Sequence, residues 1–427
     1  MTPQSNFMIA APVRPDRLDA LRALLATMNR GLGEVDPHNA LVPFARFGDL
    51  HMARLVILDD QTTGDIAVYG RSFPDAPVYL AFLGDCDGPG DAMLDALAAD
   101  AGPGLERIFA HCADWAPEQG LRLWMDDHAV RPATQYVNWI GRSVRQIREE
   151  AALHACLAAS LRSGGGVDET PQQIKERLAR AVQAAGLQLS PSPPTPLDWA
   201  IADALHLVGG ALLLVALIPF LLLYAPFFFW RLRQLEGADP VIAPRPAPEH
   251  IAFISAREDW DVTNPFSAVG SLKPGLFRLT TVMFVLWFLD YACRHLFGRG
   301  HLARVGTIHF ARWVFLDDKR RLFFASNYDR GLDNYMDDFI NKAGYGLNLV
   351  FSNGVGYPHT DFLLAGGADD EQSFKNFLRR HQVPTDVWYK AYPGLTAYDL
   401  FRNARIREGY ERTLMGDDEI HSWLALI

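Results

Sequence analysis

Two pairs of a histidine and an arginine stand inside apolar stretches, and they are the first residues of this sequence whose types could do chemistry. HFARWVFLDD begins at His309, and HMARLVILDD begins at His51. Histidine can act as a general base or a ligand near neutral pH, because its charge changes there. Arginine stays charged and suits an anionic partner. What has to be explained is why His309 and Arg312 lie in a strand that otherwise looks made for a core.

The two stretches belong to an internal repeat, which has to be established before other features because it determines the fold. Over the 17-residue segments 44–60 and 302–318, ten positions are identical at a constant spacing of 258 residues. The identical positions are Ala45, Arg46, Gly48, His51, Ala53, Arg54, Val56, Leu58, Asp59 and Asp60, matched by Ala303, Arg304, Gly306, His309, Ala311, Arg312, Val314, Leu316, Asp317 and Asp318.

The flanking segments predict the same order of elements in both halves: strand, helix, strand, strand, helix, strand and a trailing helix. In the first half these segments are 6–15, 16–30, 44–60, 78–88, 91–100 and 135–153. In the second half they are 251–258, 275–297, 302–318, 322–331, 332–341 and 386–406. This order is that of the split βαβ or ferredoxin-like unit, whose sheet carries helices on one face only. Two copies in one chain can cover each other's bare faces.

On these residues the chain resembles the dimeric α/β-barrel superfamily in duplicated form, over about residues 5–160 and 250–412. The resemblance implies an α+β protein with two ferredoxin-like repeats forming an intramolecular α/β barrel. The superfamily includes dye-decolorising peroxidases, chlorite dismutases and small cofactor-free monooxygenases. The stretches HFARWV and SNYD are also similar to those of bacterial proteins to which we assign no reaction. CDG at 86–88 and YDRG at 328–331 are interpreted as partial echoes of the GxxDG motif of the peroxidases.

Composition excludes several classes of function. The net charge of −10 argues against nucleic acid as the main partner, because phosphate binding needs a basic surface. The four cysteines lie far apart without CxxC spacing, so we expect neither a zinc site nor a disulfide framework. We expect the protein to be in a reducing compartment. No signal peptide is recognisable at the start, and no P-loop, HExxH or GxSxG motif occurs.

An apolar segment between the halves predicts membrane attachment. Residues 204–230 contain no Asp, Glu, Lys or Arg, and about 20 apolar residues are enough to span a bilayer. A single straight span would put the halves on opposite sides of the membrane. We therefore expect a segment that enters and returns, bending at Gly209, Gly210, Pro219 and Pro226. The apolar helix at 275–297 is interpreted either as a core helix or as a helix that also touches lipid.

These patterns divide the chain into five parts: the first repeat at 1–162, a linker with an amphipathic helix at 163–203, the membrane segment at 204–233, a linker at 234–249 and the second repeat at 250–427. Both repeats are expected on the cytoplasmic face of the inner membrane, with Arg231 and Arg233 as the positive flank.

Strand alternation puts each histidine and its arginine on opposite faces of the strand. A structural role for both is one alternative: a hydrogen-bonded core histidine, and an arginine paired with a carboxylate such as Asp59 or Asp317. The other alternative is a site in the second half, whose polar loops differ most from those of the first. We then expect His309, Tyr328 and Asp329 as catalytic residues, His309 also as the cofactor ligand, and Asn327, Asn353 and His359 as substrate-binding residues. Arg312 would remain structural, and no metal site is expected.

Two functions remain open from the sequence. One is a membrane-attached oxidoreductase that acts on a lipophilic substrate, with haem as a candidate cofactor. The other is a non-catalytic lipid-binding or assembly module that docks a partner enzyme at the membrane. The expected partners are thus membrane lipid or a lipophilic small molecule, and a partner protein, but not nucleic acid.

Overall fold

The computed structural model describes residues 1–73, 76–164, 169–242, 245–297, 302 and 304–427. The repeat residue Ala303 lies outside these ranges, as do positions 165–168 and 243–244 of the two predicted linkers.

The strands and helices follow the duplicated order. The strands are β1 (Gln4–Pro12), β2 (Asn29–Gly31), β3 (Glu34–Val35), β4 (Leu50–Leu58), β5 (Tyr79–Asp87), β6 (Thr134–Val137), β7 (Thr263–Ser271), β8 (Ile308–Leu316), β9 (Arg321–Asp329), β10 (Thr360–Asp361), β11 (Ala365–Gly366) and β12 (Val387–Lys390). The helices are α1 (Leu18–Ala26), α2 (Gly90–Phe109), α3 (Leu121–Asp127), α4 (Val144–Arg162), α5 (Pro171–Ala184), α6 (Leu197–Ala238), α7 (Pro248–Ser255), α8 (Leu276–His295), α9 (Leu332–Phe351), α10 (Glu371–His381), α11 (Ala397–Glu411) and α12 (Asp417–Leu424).

Two four-stranded antiparallel sheets form the framework, and each contains one strand from the other half of the chain. The first sheet has the order β1-β5-β4-β12, and the second has the order β6-β8-β9-β7. The fourth strand of the first half, β6, therefore pairs with β8, and the fourth strand of the second half, β12, pairs with β4. The sequence boundaries of the two repeats accordingly do not separate the two sheets.

The sheets pack against each other through one apolar cluster to which both contribute. Met8, Val56 and Leu83 from the first sheet meet Val314 and Phe323 from the second. The opposite face of each sheet carries helices and a core of its own. Among the described residues the result is an α+β protein with two open sheets, without closure into a single barrel.

The first strand of the second half lies later in the chain than predicted. Residues 251–258 were expected to form it, but α7 covers most of that segment and the strand is β7. Pro248 at the first position of α7 has a backbone angle suited to helix initiation. The actual strand contains Pro265, which weakens a strand pattern but is tolerated because β7 lies at a sheet edge.

The predicted turn within the membrane segment is also wrong: α6 is one continuous helix of 42 residues, about 63 Å long. Pro219 and Pro226 lie inside it. Gly210 serves a close helix contact instead of a bend, since a Cβ on it would lie 2.4 Å from the Tyr291 ring on α8. By length and composition, both α6 and α8 are apolar enough to cross a membrane, and no residue in the most apolar part of α6 is buried.

Candidate functional site

Each half contains a buried histidine that is hydrogen-bonded to a carboxylate at the start of a helix. His51 Nε2 lies 3.0 Å from Asp87 Oδ1, and the other oxygen of Asp87 accepts a hydrogen bond from the N–H of Val144 at 2.9 Å. His309 Nε2 lies 2.7 Å from Asp329 Oδ1, whose second oxygen accepts from the N–H of Ala397 at 2.7 Å. Asp87 thus connects its sheet to the first turn of α4, and Asp329 connects its sheet to the first turn of α11. The positive end of each helix dipole stabilises the carboxylate there.

A β-bulge aims each histidine. The pairing of β4 with β5 shifts by one residue between Leu50 and Met52, at His51. The pairing of β8 with β9 shifts by one residue between Ile308 and Ala311, at His309 and its neighbour. Bulges re-aim side chains locally and are common beside active sites. The duplication has kept the bulge, the histidine and its carboxylate together.

The two histidines lie close together because the fourth strands are exchanged. Tyr392 follows β12, and its ring centre is 5.8 Å from that of His51 and 6.4 Å from that of His309. Its hydroxyl lies 3.1 Å from His51 Nδ1. Burial, followed by the charges of Asp85 and Asp87, holds the pKa of Tyr392 well above its usual value, so the phenol stays neutral. We assign it as the donor to His51 Nδ1.

The surroundings of the two histidines differ at one position. Trp139 follows β6 as Tyr392 follows β12, and it lines a small cavity with His309 and Asn138. Trp139 Nε1 and Asn138 Oδ1 are buried without a hydrogen-bond partner, and His309 Nδ1 makes no hydrogen bond within the described chain. The cavity has a volume of about 10 Å³, which is room for about one water molecule. Chemically, the arrangement can hold and polarise one water-sized molecule.

Two other predicted site residues face different partners. Tyr328 precedes Asp329 on β9, so its side chain lies on the other face of the sheet, where its hydroxyl donates to Asp259 at 3.2 Å. Burial and the Asp259 carboxylate raise its pKa well above the usual value, so it is a poor acid. Asn327 accepts a hydrogen bond from Arg54, which reaches it from the other sheet.

Asn353 and His359 do not contact His309 or the cavity beside it. Asn353 is buried at the end of α9, where its amide donates to the carbonyl of Leu349 at 3.1 Å. His359 is exposed and lies beside the end of α6, near Glu236. The structure thus brings together His309 and Asp329, and separates them from the other residues that were expected to form one site.

The structural alternative suggested that the arginines of the repeat pair with carboxylates such as Asp59 or Asp317, and the structure shows other partners. Arg312 instead donates to the Asp85 carboxylate across the gap between the sheets. Asp317 pairs with Arg321 in the turn between β8 and β9. The expected partners were near in sequence, but each arginine side chain points away from its own sheet.

The residues around His309 do not fit haem. Sites for molecules of that size have volumes of about 300–1,000 Å³. The cavity beside His309 is about 10 Å³.

Residues 84–88 read GDCDG, so the full GxxDG spacing is present and the interpretation of CDG as a partial echo was wrong. Its Asp87 is nevertheless engaged by His51 and the start of α4.

Sequence reasoning missed Asp87, Trp139 and Asn138. The detectable signal was that the spacing between the halves is 258 residues at the histidines but 242 at Asp87 and Asp329. Matching each strand separately would have paired the two carboxylates. No family model, curated protein or solved structure matches the chain.

Proposed function

We propose that this protein is a membrane-attached lipid-binding or assembly module, held by α6 on the cytoplasmic face of the inner membrane. The observation that supports it is α6, whose residues 204–230 include no Asp, Glu, Lys or Arg, are mostly apolar and are largely exposed. Leu212, Leu222 and Leu223 are 65%, 70% and 83% exposed. Burying a leucine side chain contributes about 2 kcal/mol, so an apolar surface of this length is strongly favoured in lipid.

Both ends of α6 are fixed to the same folded body, which favours a helix lying along the membrane surface. Near its start, Asp203 accepts from Arg294 of α8 at 2.6 Å. Near its end, the buried Glu236 accepts from Thr360 at 3.0 Å and from the N–H of Leu363 at 3.0 Å. A straight crossing of the bilayer would separate these anchors.

The outer side of α8 extends this surface. Met283, Phe284 and Phe288 are 37–44% exposed, whereas the inner side of α8 packs on the second sheet. The carbonyl of Leu286 accepts a hydrogen bond from Thr134 of β6 at 2.7 Å. We infer that α6 and the outer side of α8 face lipid together, so that both alternatives for α8 hold, one for each side.

The family assignment remains part of the proposal. Two ferredoxin-like repeats of the dimeric α/β-barrel superfamily are supported by the duplicated element order and by the contact between the two sheets. A solved relative with the same exchange of β6 and β12 between its two sheets would support this family assignment.

Flotation with lipid vesicles tests the attachment. The full chain should float with vesicles of phosphatidylcholine and phosphatidylglycerol, and the double variant Leu212→Asp, Leu222→Asp should not, since a charge in the membrane costs up to about 3 kcal/mol. The matched control is Leu123→Asp on α3, where the leucine is 54% exposed. A full chain that stays in solution, or a double variant that floats like the control, would overturn the proposal.

A second candidate is the oxidoreductase acting on a lipophilic substrate. It is favoured by the His309–Asp329 pair and the unpartnered groups beside His309, but the small cavity excludes a large substrate there. We expect a purified protein without a Soret band. A Soret band that His309→Ala removes and His51→Ala keeps would instead support haem-dependent chemistry.

A further inference from the structure

A large cleft lies between the two halves of the chain, away from His51 and His309. Its first lobe, of about 970 Å³, is walled by α1, the β2–β3 hairpin and residues 380–386, together with α7. A second lobe of about 580 Å³ shares Arg30, Leu32 and Arg257 with the first. Volumes of this size are typical of sites for small molecules.

Arg257 is a half-buried cation in this cleft without an anionic partner among the described residues. One of its guanidinium nitrogens donates to the carbonyl of Phe253 at 2.9 Å, and the group lies 3.8 Å above the Phe253 ring. By contrast, Arg22, another arginine that lines the first lobe, is paired with Asp59 at 2.6 Å. Arg257 therefore retains donors for an anion that enters the cleft.

The carboxyl of Asp386 lines the same lobe, and the charges of Arg22 and Arg257 both favour its ionised form. Burial raises the pKa of its carboxyl to about 6, against the opposing charges of Arg22 and Arg257. One of its oxygens accepts from the N–H of Ile57 at 2.8 Å. Below pH 6 this carboxyl is mostly neutral, so it then repels an anionic ligand beside Arg257 less than it does at higher pH.

Apolar and aromatic side chains also line the cleft, beside its charged and polar groups. Leu32, Phe253 and Trp260 line it and are 53%, 46% and 53% exposed, so their surfaces are open to a ligand. In the second lobe the buried Trp388 has an indole N–H that finds no hydrogen-bond partner in the described part of the chain. Gly33, at a positive φ of 74°, lets the hairpin lie against Trp260, since a Cβ there would be 2.1 Å from that ring.

We propose that this cleft binds one amphiphile with an anionic head, a carboxylate or a phosphate monoester. The head lies on Arg257, and the apolar body lies against Phe253, Trp260 and Trp388. A free inorganic anion would leave the aromatic walls uncovered, and a neutral lipid would leave Arg257 unpaired. This inference rests on the proposed lipid-binding function, and it names the ligand and the site.

Native mass spectrometry of the full chain in a nonionic detergent tests the proposal with four probes. Oleate and lysophosphatidate distinguish a carboxylate head from a phosphate head, and monoolein and inorganic phosphate are the neutral and the headgroup-only controls. We expect one equivalent of oleate, of lysophosphatidate or of both to bind at pH 7.5, at least tenfold more tightly than either control.

Arg257→Gln should weaken binding of the anionic probe at least tenfold. Arg405→Gln is a matched control, because Arg405 lies over the Phe401 ring on α11 as Arg257 lies over Phe253, but outside the cleft. Equal binding of monoolein or inorganic phosphate, or equal weakening by both variants, would overturn the proposal. Flotation is a separate readout: if the full chain floats and binds no probe, the cleft assignment fails and the membrane attachment stands.

Discussion

Arg54 and Arg312 cross the gap between the two sheets in opposite directions. Arg54, on β4, donates to the carbonyl of Ser326 at 2.8 Å and to the side chain of Asn327 on β9. Arg312, on β8, donates to the carbonyl of Phe7 at 3.0 Å and to the Asp85 carboxylate. The repeated arginine is thus a device that holds the two sheets together.

The two ends of this device differ in charge, and this gives the first prediction. Arg312 donates to a carboxylate, that of Asp85, whereas Arg54 donates to the amide oxygen of Asn327. Burial together with the charge of Arg312 lowers the pKa of Arg54 to about 9. Asp85→Asn should lower the free energy of unfolding by about 3–5 kcal/mol, because it leaves two buried cations uncompensated. Urea denaturation measures this loss. Asn327→Asp adds a carboxylate beside Arg54 and should cost far less; an equal loss would contradict the charge argument.

The fold could be predicted from the sequence as far as local patterns determine it. The repeat located β4, β5, β8 and β9, since their apolar runs and their histidine, arginine and aspartate residues are shared. The exchange of β6 and β12 could not be predicted, because four-residue strands carry no information about which sheet edge they join. The continuous course of α6 was missed because a straight helix was assumed to cross the bilayer and so to separate the two halves, whereas both of its ends contact the same folded body.

The candidate site was predictable in part for similar reasons. His309 and Asp329 lie at the adjoining ends of neighbouring strands, so their contact follows from the hairpin. Tyr328 could have been excluded, because adjacent strand residues face opposite sides. Asn353 lies at the end of α9 and His359 lies beside the end of α6, and strand patterns give no information about either position.

The second prediction concerns the paired histidines. Because each one satisfies a buried carboxylate, His51→Ala and His309→Ala should both lower the free energy of unfolding by about 1–3 kcal/mol. Thermal and urea unfolding of the two variants compare them directly. A loss confined to His51→Ala, with His309→Ala stable, would favour a functional rather than structural role for His309.

The third prediction concerns pH. Glu150 on α4 is buried, and burial raises the pKa of its carboxyl to about 7 although Arg142 lies 3.3 Å away. The folded state then binds this proton more tightly than the unfolded chain, whose glutamate titrates near pH 4.5. Stability should therefore fall as the pH rises from about 4.5 to 7, by at most about 3 kcal/mol, and this contribution should be constant above pH 7.

Unfolding measured across this range, in wild type and Glu150→Gln, checks the assignment. The variant should lose that part of the slope. Glu118→Gln is the control, because Glu118 is exposed and is not among the charges that shift the pKa of Glu150. An unchanged slope in Glu150→Gln would show that another group titrates in this window.

The fourth prediction concerns topology. Since both ends of α6 are fixed to one body, the two halves must lie on the same side of the membrane. Single cysteines at Leu123, in the first half, and at Leu414, which is 87% exposed in the second, can report this in a Cys156→Ser background. A membrane-impermeant maleimide should label both in inside-out vesicles and neither in intact spheroplasts. Labelling of only one site in either preparation would show that α6 crosses the bilayer.

The last prediction concerns the exchanged strands. A chain cut at Gly186 gives one fragment with β4 and β6 and another with β8 and β12, so that each sheet needs both fragments. Fragment 1–186 alone would leave the edge of β4 unpaired and Arg54 without Ser326 and Asn327, and exposed strand edges promote aggregation. We expect each fragment to aggregate when it is expressed alone, and the two to purify as a 1:1 complex through a tag on one of them when they are expressed together. A fragment 1–186 that is monomeric and unfolds cooperatively would show that the first half forms its sheet without β12.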